Sequence, residues 1–368
     1  MKKKEFWDFT WKILLVAALL IGIVNLTMNL LSIRLESHQE AVVTETSEAY
    51  IPEETAIVAQ VFAAGMIDYG LKAPQVQDYS VCFEALHDLI SNYEIASCTQ
   101  RTLAGTQVPA AFAENVREIG IDAVGLATPN AMANGKEGVE KALVFWDAQE
   151  LQQAGMNWST DQSNLIRPFE LNGISVVFLS YTDILDDELP DSQQYLVNVY
   201  DDESTPQFVE AAAEEADIVI VSICWEGGNL EDPSDRQKTV AKALADAGAS
   251  VIMGNAENAV QPVAWIDDTL VFYSMGNLLS DADENMDRIG IVGAVTVTKT
   301  VLYDKVKIEL TNPKVDLIYS AADESGQYCS RLFTSLAEND LEDADEIKQQ
   351  YTECLLRMDD SIRIGGMQ

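Results

Sequence analysis

Between Ala216 and Asp281 three apolar runs follow one another: ADIVIVSIC (Ala216 to Cys224), ASVIM (Ala249 to Met253) and TLVFYSM (Thr269 to Met275). Each is rich in Val, Ile or aromatic residues and ends abruptly in a polar, glycine-containing loop, with a helical pattern from Arg236 to Ala247 between the first two. Continuous apolar runs of this length are buried on both faces, as in a sheet covered by helices. An open sheet of that kind places its ligand crevice outside the carboxyl ends of the strands. Any chemistry is therefore expected at Cys224 to Gly228, Gly254 to Asn258 and Gly276 to Asn277.

The rest of the chain extends the same alternation. A β-type run, Ala56 to Phe62, breaks at Ala63, Ala64 and Gly65. Helix is expected over Val81 to Ser91 and Phe112 to Ile119, and strand over Tyr93 to Ser97, Asp122 to Ala127 and Ile174 to Ser180. Gly138 to Ala154 reads as an amphipathic helix closed by Gly155. Strand and helix alternating through Asn277 indicate an α/β fold. After it, Gly290 to Lys299 and Val301 to Leu310 read as a β-hairpin, and Ser325 to Met358 as two acidic amphipathic helices. The expected units are a tail (1–12), a membrane anchor (13–33), a stalk (34–55), the α/β domain (56–320) and C-terminal acidic helices (321–368).

The anchor rests on Ile13 to Ile33, 21 residues without a charge, preceded by Lys2, Lys3, Lys4 and Lys12 and closed by Arg34. About 20 apolar residues in a helix span a bilayer, and lysines on the amino side keep that end in the cytoplasm. The run lacks an A-x-A cleavage site, so it reads as an uncleaved single-pass anchor in the cell membrane with the C-terminal domain outside. A cleaved signal or a buried helix remains the alternative, because Asn25, Thr27 and Asn29 weaken the second half.

Charge narrows the partners. The chain carries a formal net charge of −37, whereas nucleic-acid binding requires Lys and Arg to displace counterions from phosphates. No nucleic acid is expected as a partner. Five cysteines (Cys82, Cys98, Cys224, Cys329, Cys354) show no CxxC pair, and buried thiols or one or two disulfides fit them. The two histidines, His38 and His87, both fall outside the strand ends.

Four segments together resemble one family. IGIDAVGLATPNAMANGKEGVEKALVFWDAQELQQAG (Ile119 to Gly155), ADIVIVSICWEGG, AGASVIMGNAENAVQPV and LVFYSMGNLLSD are similar, in order and spacing, to segments of the bacterial capsule synthesis proteins called CapA or PgsA. The resemblance implies a membrane-anchored protein of capsule or poly-γ-glutamate synthesis, with the cell membrane and a surface polymer or its synthesis complex as partners. It also implies a four-layer α/β/β/α sandwich like that of calcineurin-type metallophosphoesterases, with metal ligands at the strand ends. The positions corresponding to those ligands are Met66, Cys98, Gln100, Pro129, Asn130, Ala133, Cys224, Ala256 and Asn258, where none of the family's Asp, Glu or His ligands stands.

A hydrolytic metal centre needs several anionic or imidazole ligands. The expectation is thus no catalytic residue, no transition metal and a candidate cleft built from Met66, Cys98, Gln100, Asn130, Cys224, Glu226, Glu257, Asn258 and Asn277. Oxygen donors among these leave weak Ca²⁺ or Mg²⁺ coordination open. Two functions fit: a non-catalytic binding or assembly subunit, or a hydrolase or transferase acting on an envelope polymer through Glu226, Glu257 and Cys224.

Overall fold

The structure is a computed structural model that describes residues 19–28, 55–68, 79–101, 110–227, 232–255, 259–303 and 305–367. Two units are distinct, 1–53 and 54–368. Of the first, residues 19–28 form helix α1, whose side chains are all exposed. Among the described residues no helix is long and apolar enough to cross a membrane. The remaining residues of the expected anchor, the tail and residues 34–54 of the stalk lie outside the described residues.

The second unit follows the expected alternation. In chain order its elements are β1 (Thr55–Asp68), α2 (Ser80–Ile90), β2 (Ile95–Gln100), α3 (Ala110–Glu118), β3 (Ala123–Gly125), α4 (Gly135–Asp147), β4 (Gln152–Ala154), α5 (Thr160–Ser163), β5 (Phe169–Leu171) and β6 (Ile174–Thr182). There follow α6 (Ser204–Glu215), β7 (Ile218–Cys224), α7 (Asp235–Asp246), β8 (Val251–Asn255), β9 (Val263–Ile266), β10 (Thr269–Phe272) and β11 (Asn277–Ser280). Last come β12 (Ile289–Leu302), β13 (Lys305–Ala322), β14 (Tyr328–Leu332), α8 (Ala344–Leu355) and β15 (Arg363–Ile364). One sheet runs β14-β13-β12-β1-β2-β3-β4, with β11 also on β1 and β15 on β13; the other runs β5-β6-β7-β8-β10-β9.

Alternation along each strand explains the layers, because successive side chains point to opposite faces. Val61, Ala63 and Ile95 meet Val176, Ile220 and Met253 in a core between the two sheets. Their neighbours Phe62, Ala96 and Val124 pack instead against Phe83 and Leu86 of α2, Phe112 of α3 and Trp146 of α4. On the far side Val219, Val221 and Ile252 pack on Val209 of α6 and Val240 and Leu244 of α7. Both faces of each central strand are thus buried, which is why those strands read as unbroken apolar runs.

Three expectations are corrected. The break expected at Ala63 to Gly65 is an irregularity inside one 14-residue strand, whose register against β2 shifts between Ala63 and Met66. There β1 leaves β12, its last partner being Ala64 with Val292, and takes β11 from Met66 with Asn277. Only glycine fits the crossing, since a Cβ on Gly65 would sit 2.2 Å from the Gly276 carbonyl oxygen. The helix expected to reach Ala154 ends at Asp147, and Gln152–Ala154 pairs with β3 as an edge strand. Of the two helices expected after Ser325, only α8 forms; Tyr328–Leu332 is a strand on β13, so the first sheet continues into the C-terminal segment.

Candidate functional site

The parallel strands β1, β2, β3, β6, β7 and β8 end on one side of the sandwich, and a small cleft of ≈ 30 Å³ lies there. Its lining is Met66 near the end of β1, Arg101 after β2, Pro129 after β3, Ile184 and Asp186 after β6, Cys224 and Trp225 at the end of β7, and Asn255 at the end of β8. Backbone bonds tie these loops together. The Asp183 amide donates to the Cys224 carbonyl at 2.7 Å, the Asp186 amide to the Pro129 carbonyl at 2.8 Å, and the Trp225 amide to the Asn255 carbonyl at 3.1 Å. The Trp225 indole Nε1 donates to the Tyr273 carbonyl at 2.9 Å, which fixes the ring as one wall. Gly254 makes room for it, since a Cβ there would come within 2.4 Å of the indole.

Beneath the cleft a polar chain joins the two sheets. The hydroxyls of Thr99 and Ser222 are 2.8 Å apart, and Asn255 Nδ2 donates to Thr99 Oγ1 at 3.2 Å and to the Met253 carbonyl at 3.3 Å. Asn255 is 1% exposed, yet its Oδ1 has no hydrogen-bond partner among the described residues. A buried acceptor left unbonded costs about 1–3 kcal/mol. Nearby, Arg101 NH1 lies 3.5 Å from Asp68 Oδ2.

Of the nine expected residues, Met66 and Cys224 line the cleft. Asn130 stands at its edge beside Pro129, with its Oδ1 accepting from Thr128 Oγ1 at 3.0 Å. Glu226 follows Trp225 and is exposed. Asn277 is fully buried next to Met66, and its Nδ2 donates to the Asp287 carbonyl at 2.7 Å. Cys98 belongs to the core under the helices. Two residues on, Gln100 shares its parity and bonds the Ile67 carbonyl at 3.4 Å. Glu257 and Asn258 lie outside the described residues.

Thr99, Ser222, Arg101 and Asp186 were not anticipated, and Asn255 only as part of the segment Gly254 to Asn258. The period-2 rule marks Thr99, Ser222 and Asn255: Ile95, Ser97 and Thr99 share the inter-sheet face of β2, while Ala96, Cys98 and Gln100 share the other. Both thiols are chemically quiet. Burial pushes Cys98 up to about 12, and burial pushes Cys224 up to about 12 despite the pull of Arg101. Thiolate is the form that attacks or binds metal, so neither is charged at neutral pH. None of the five cysteines forms a disulfide, and all are buried. Among the described residues no three His, Cys, Asp or Glu side chains come together as a metal site.

Similarity to known proteins gives the family. The chain is 29% identical over 168 residues to the PGA biosynthesis protein CapA of Bacillus subtilis (strain 168), covering 45% of this chain and 44% of that protein. It is 26% identical over 226 residues to the capsule biosynthesis protein CapA of Bacillus anthracis, covering 58% and 54%. The chain thus spans about half the length of the curated relatives it matches. A putative 5'-nucleotidase from Staphylococcus aureus, solved in complex with alpha-ketoglutarate, overlays with a TM-score of 0.44 at 12% identity over 80% of this chain and 58% of that one. Residues 55–282, from the first residue of β1 to just past β11 and more than half of the chain, match the sequence model of the bacterial capsule synthesis protein PGA_cap, and the chain belongs to that family.

Proposed function

We propose that this chain is a membrane-anchored, non-catalytic subunit in the biosynthesis of a surface polymer of the capsule or poly-γ-glutamate type, and that its strand-end cleft binds rather than cleaves. The family and its two CapA relatives support the pathway. A four-layer sandwich of the metallophosphoesterase type is consistent with the layers described above. The single observation that carries the non-catalytic part is the lining of the cleft. A dinuclear hydrolase needs several carboxylate or imidazole ligands converging at this place. Among the described residues, Met66, Pro129, Ile184, Trp225 and a protonated Cys224 occupy the walls, with one carboxylate, Asp186, and one cation, Arg101. That donor set does not fit a metal pair. It fits a small polar group, held by Asn255 Oδ1 and the charges of Arg101 and Asp186.

The test combines chemistry with output. Purified full-length protein after dialysis is expected to hold less than about one equivalent of zinc, manganese or iron, because borderline metals prefer fixed nitrogen and sulfur ligands. It should show no activity on a phosphatase panel, while a strain carrying Asn255→Leu should lose surface polymer with the protein still folded and present. Stoichiometric metal that disappears on Cys224→Ser, or phosphatase turnover that does, overturns the non-catalytic reading. Normal polymer output from the Asn255→Leu strain overturns the role of the cleft.

A further inference from the structure

At the opposite side of the sandwich, the sheet made by β1, β12 and β13 outruns its cover. Here the last ties to the second sheet are Lys299, whose Nζ donates to the Asp217 carboxylate at 2.6 Å and to the Gly173 carbonyl at 3.3 Å, and Asn172 Nδ2, which donates to the Val58 carbonyl at 3.1 Å. Beyond Lys299 the hairpin continues through the pairs Thr300 with Lys307, Val301 with Val306 and Leu302 with Lys305. Three further residues at ~3.3 Å each carry it roughly 10 Å past that tie. Val297, Lys299 and Val301 share one face of β12, opposite Leu310, Ile308 and Val306 of β13. Val297 is in the core between the sheets and Ile308 and Leu310 pack against it. Val301 and Val306 therefore continue a core-type stripe where the second sheet no longer covers it. Val306 is 54% exposed, Leu302 39% and Tyr303 69%.

Charge singles out the same place. On a chain of net charge −37, residues 300–309 at this tip carry no net charge, Lys305 and Lys307 standing against Asp304 and Glu309. Lys299 is engaged with Asp217, and Lys307 pairs with Glu309 at 2.7 Å. A groove beside the hairpin brings Asp267 and Asp268 of the β9–β10 turn to the level of Lys307–Thr311, set back from the tip. Exposed apolar residues gathered in one place are the kind of surface that contacts a partner or a membrane. The tip is also where the domain begins: Thr55, the first residue of β1, pairs with Val301.

We infer that this tip rests on the surface of an anionic lipid bilayer, with Leu302, Tyr303 and Val306 entering the headgroup region and Lys305 drawn to lipid phosphates. The inference builds on the membrane-anchored reading, since the uncharged run Ile13 to Ile33 precedes Thr55 by about twenty residues of polar stalk. Tyrosine is favoured at the bilayer interface, and lysine extends its ammonium to the phosphates while its methylenes stay with the apolar residues. Lys305 is within reach of anionic headgroups there, and a tip of no net charge is spared the repulsion that an anionic surface exerts within about a Debye length. The strongly acidic remainder is repelled by the same surface, so the two effects orient the domain tip-down.

The full chain offers a clean test, because its five cysteines are buried and a new surface cysteine takes label selectively. Tyr303→Cys, and Glu324→Cys on the turn at the far end of β13, are labelled with an environment-sensitive fluorophore and reconstituted into vesicles of phosphatidylcholine with phosphatidylglycerol. The label at 303 should blue-shift and be quenched by lipid-borne nitroxide several-fold more than the label at 324. Both effects should weaken in pure phosphatidylcholine, at high salt and on adding Lys305→Glu with Lys307→Glu. If the protein floats with the vesicles while 303 is quenched no more than 324, the tip inference fails and the anchor stands. If the protein does not float, the anchored reading fails and the inference with it. A response of the 303 label to soluble polyglutamate, without any response to vesicles, overturns the inference by assigning the lysines to a polymer.

Discussion

Cys98 and Cys224 keep their protons because burial penalises the thiolate, Cys98 within the core under the helices and Cys224 at the wall of the cleft. Both are raised in the folded chain above the value of an exposed thiol, near 8.5. The unfolded chain therefore loses these protons first as pH rises. Stability from each is fully present below the unfolded value and declines above about pH 9, by at most about 1.4 kcal/mol per pH unit per thiol. Urea unfolding at pH 7, 9 and 10 should show that decline, and Cys98→Ala should flatten it; equal slopes for wild type and variant would contradict the burial argument. Under native conditions, none of the five thiols should react with Ellman's reagent at pH 8 on the timescale of minutes, whereas all five should in denaturant. The strand-end location of the cleft was legible in the sequence, because the abrupt ends of the apolar runs at Cys224 and Met253 are set by burial. Which side chains enter it was not. Matching by motif selects Cys98 and Gln100, but the pleat turns Thr99 inward and these two toward the helices.

The meeting of β1 with β11 shows why element boundaries were harder to read than element types. Ala63, Ala64 and Gly65 look like a strand end, yet they are small because another segment crosses there: the Met66 amide donates to the Gly276 carbonyl at 2.9 Å. Gly65→Ala would place a methyl group 2.2 Å from that carbonyl oxygen. It should destabilise by about 2–4 kcal/mol, since backbone, unlike a rotamer, cannot step aside. Gly22→Ala, with open space around its Cβ in helix α1, should leave the denaturation midpoint of the domain unchanged. Equal midpoints for the two variants would refute the crossing. The same logic explains the C-terminal misreading. Tyr328–Leu332 lies among acidic residues whose spacing suits a helix, but β13 offers a free edge, and Ile318 to Ala322 pair with Leu332 to Tyr328. A five-residue strand fixed by a partner about ten residues upstream leaves no periodic mark of its own.

Charge and hydrophobicity are distributed along the chain in a way that bears on topology. Residues 1–34 hold five Lys or Arg and two Asp or Glu, and the remaining residues 18 against 58. Helix α1 exposes Leu19, Leu20, Ile21, Ile23, Val24 and Leu26, apolar surface that the membrane-anchored reading proposed above places in the bilayer. Lysines on the amino side of the uncharged run favour retention of that end in the cytoplasm, and the acidic domain that follows meets no such barrier. A phosphatase reporter fused after Gln368 should therefore be active, and a reporter that works only in the cytoplasm should be silent at the same position. Moving Lys2, Lys3 and Lys4 to the position after Arg34 should invert the pattern at least in part, because the bias is counted over residues flanking the span. A fusion active in the cytoplasm would refute the orientation. Release of the acidic domain from washed membranes with a new amino terminus near Glu36 would instead make the run a cleaved signal, leaving the cleft and its chemistry outside the cell without an anchor.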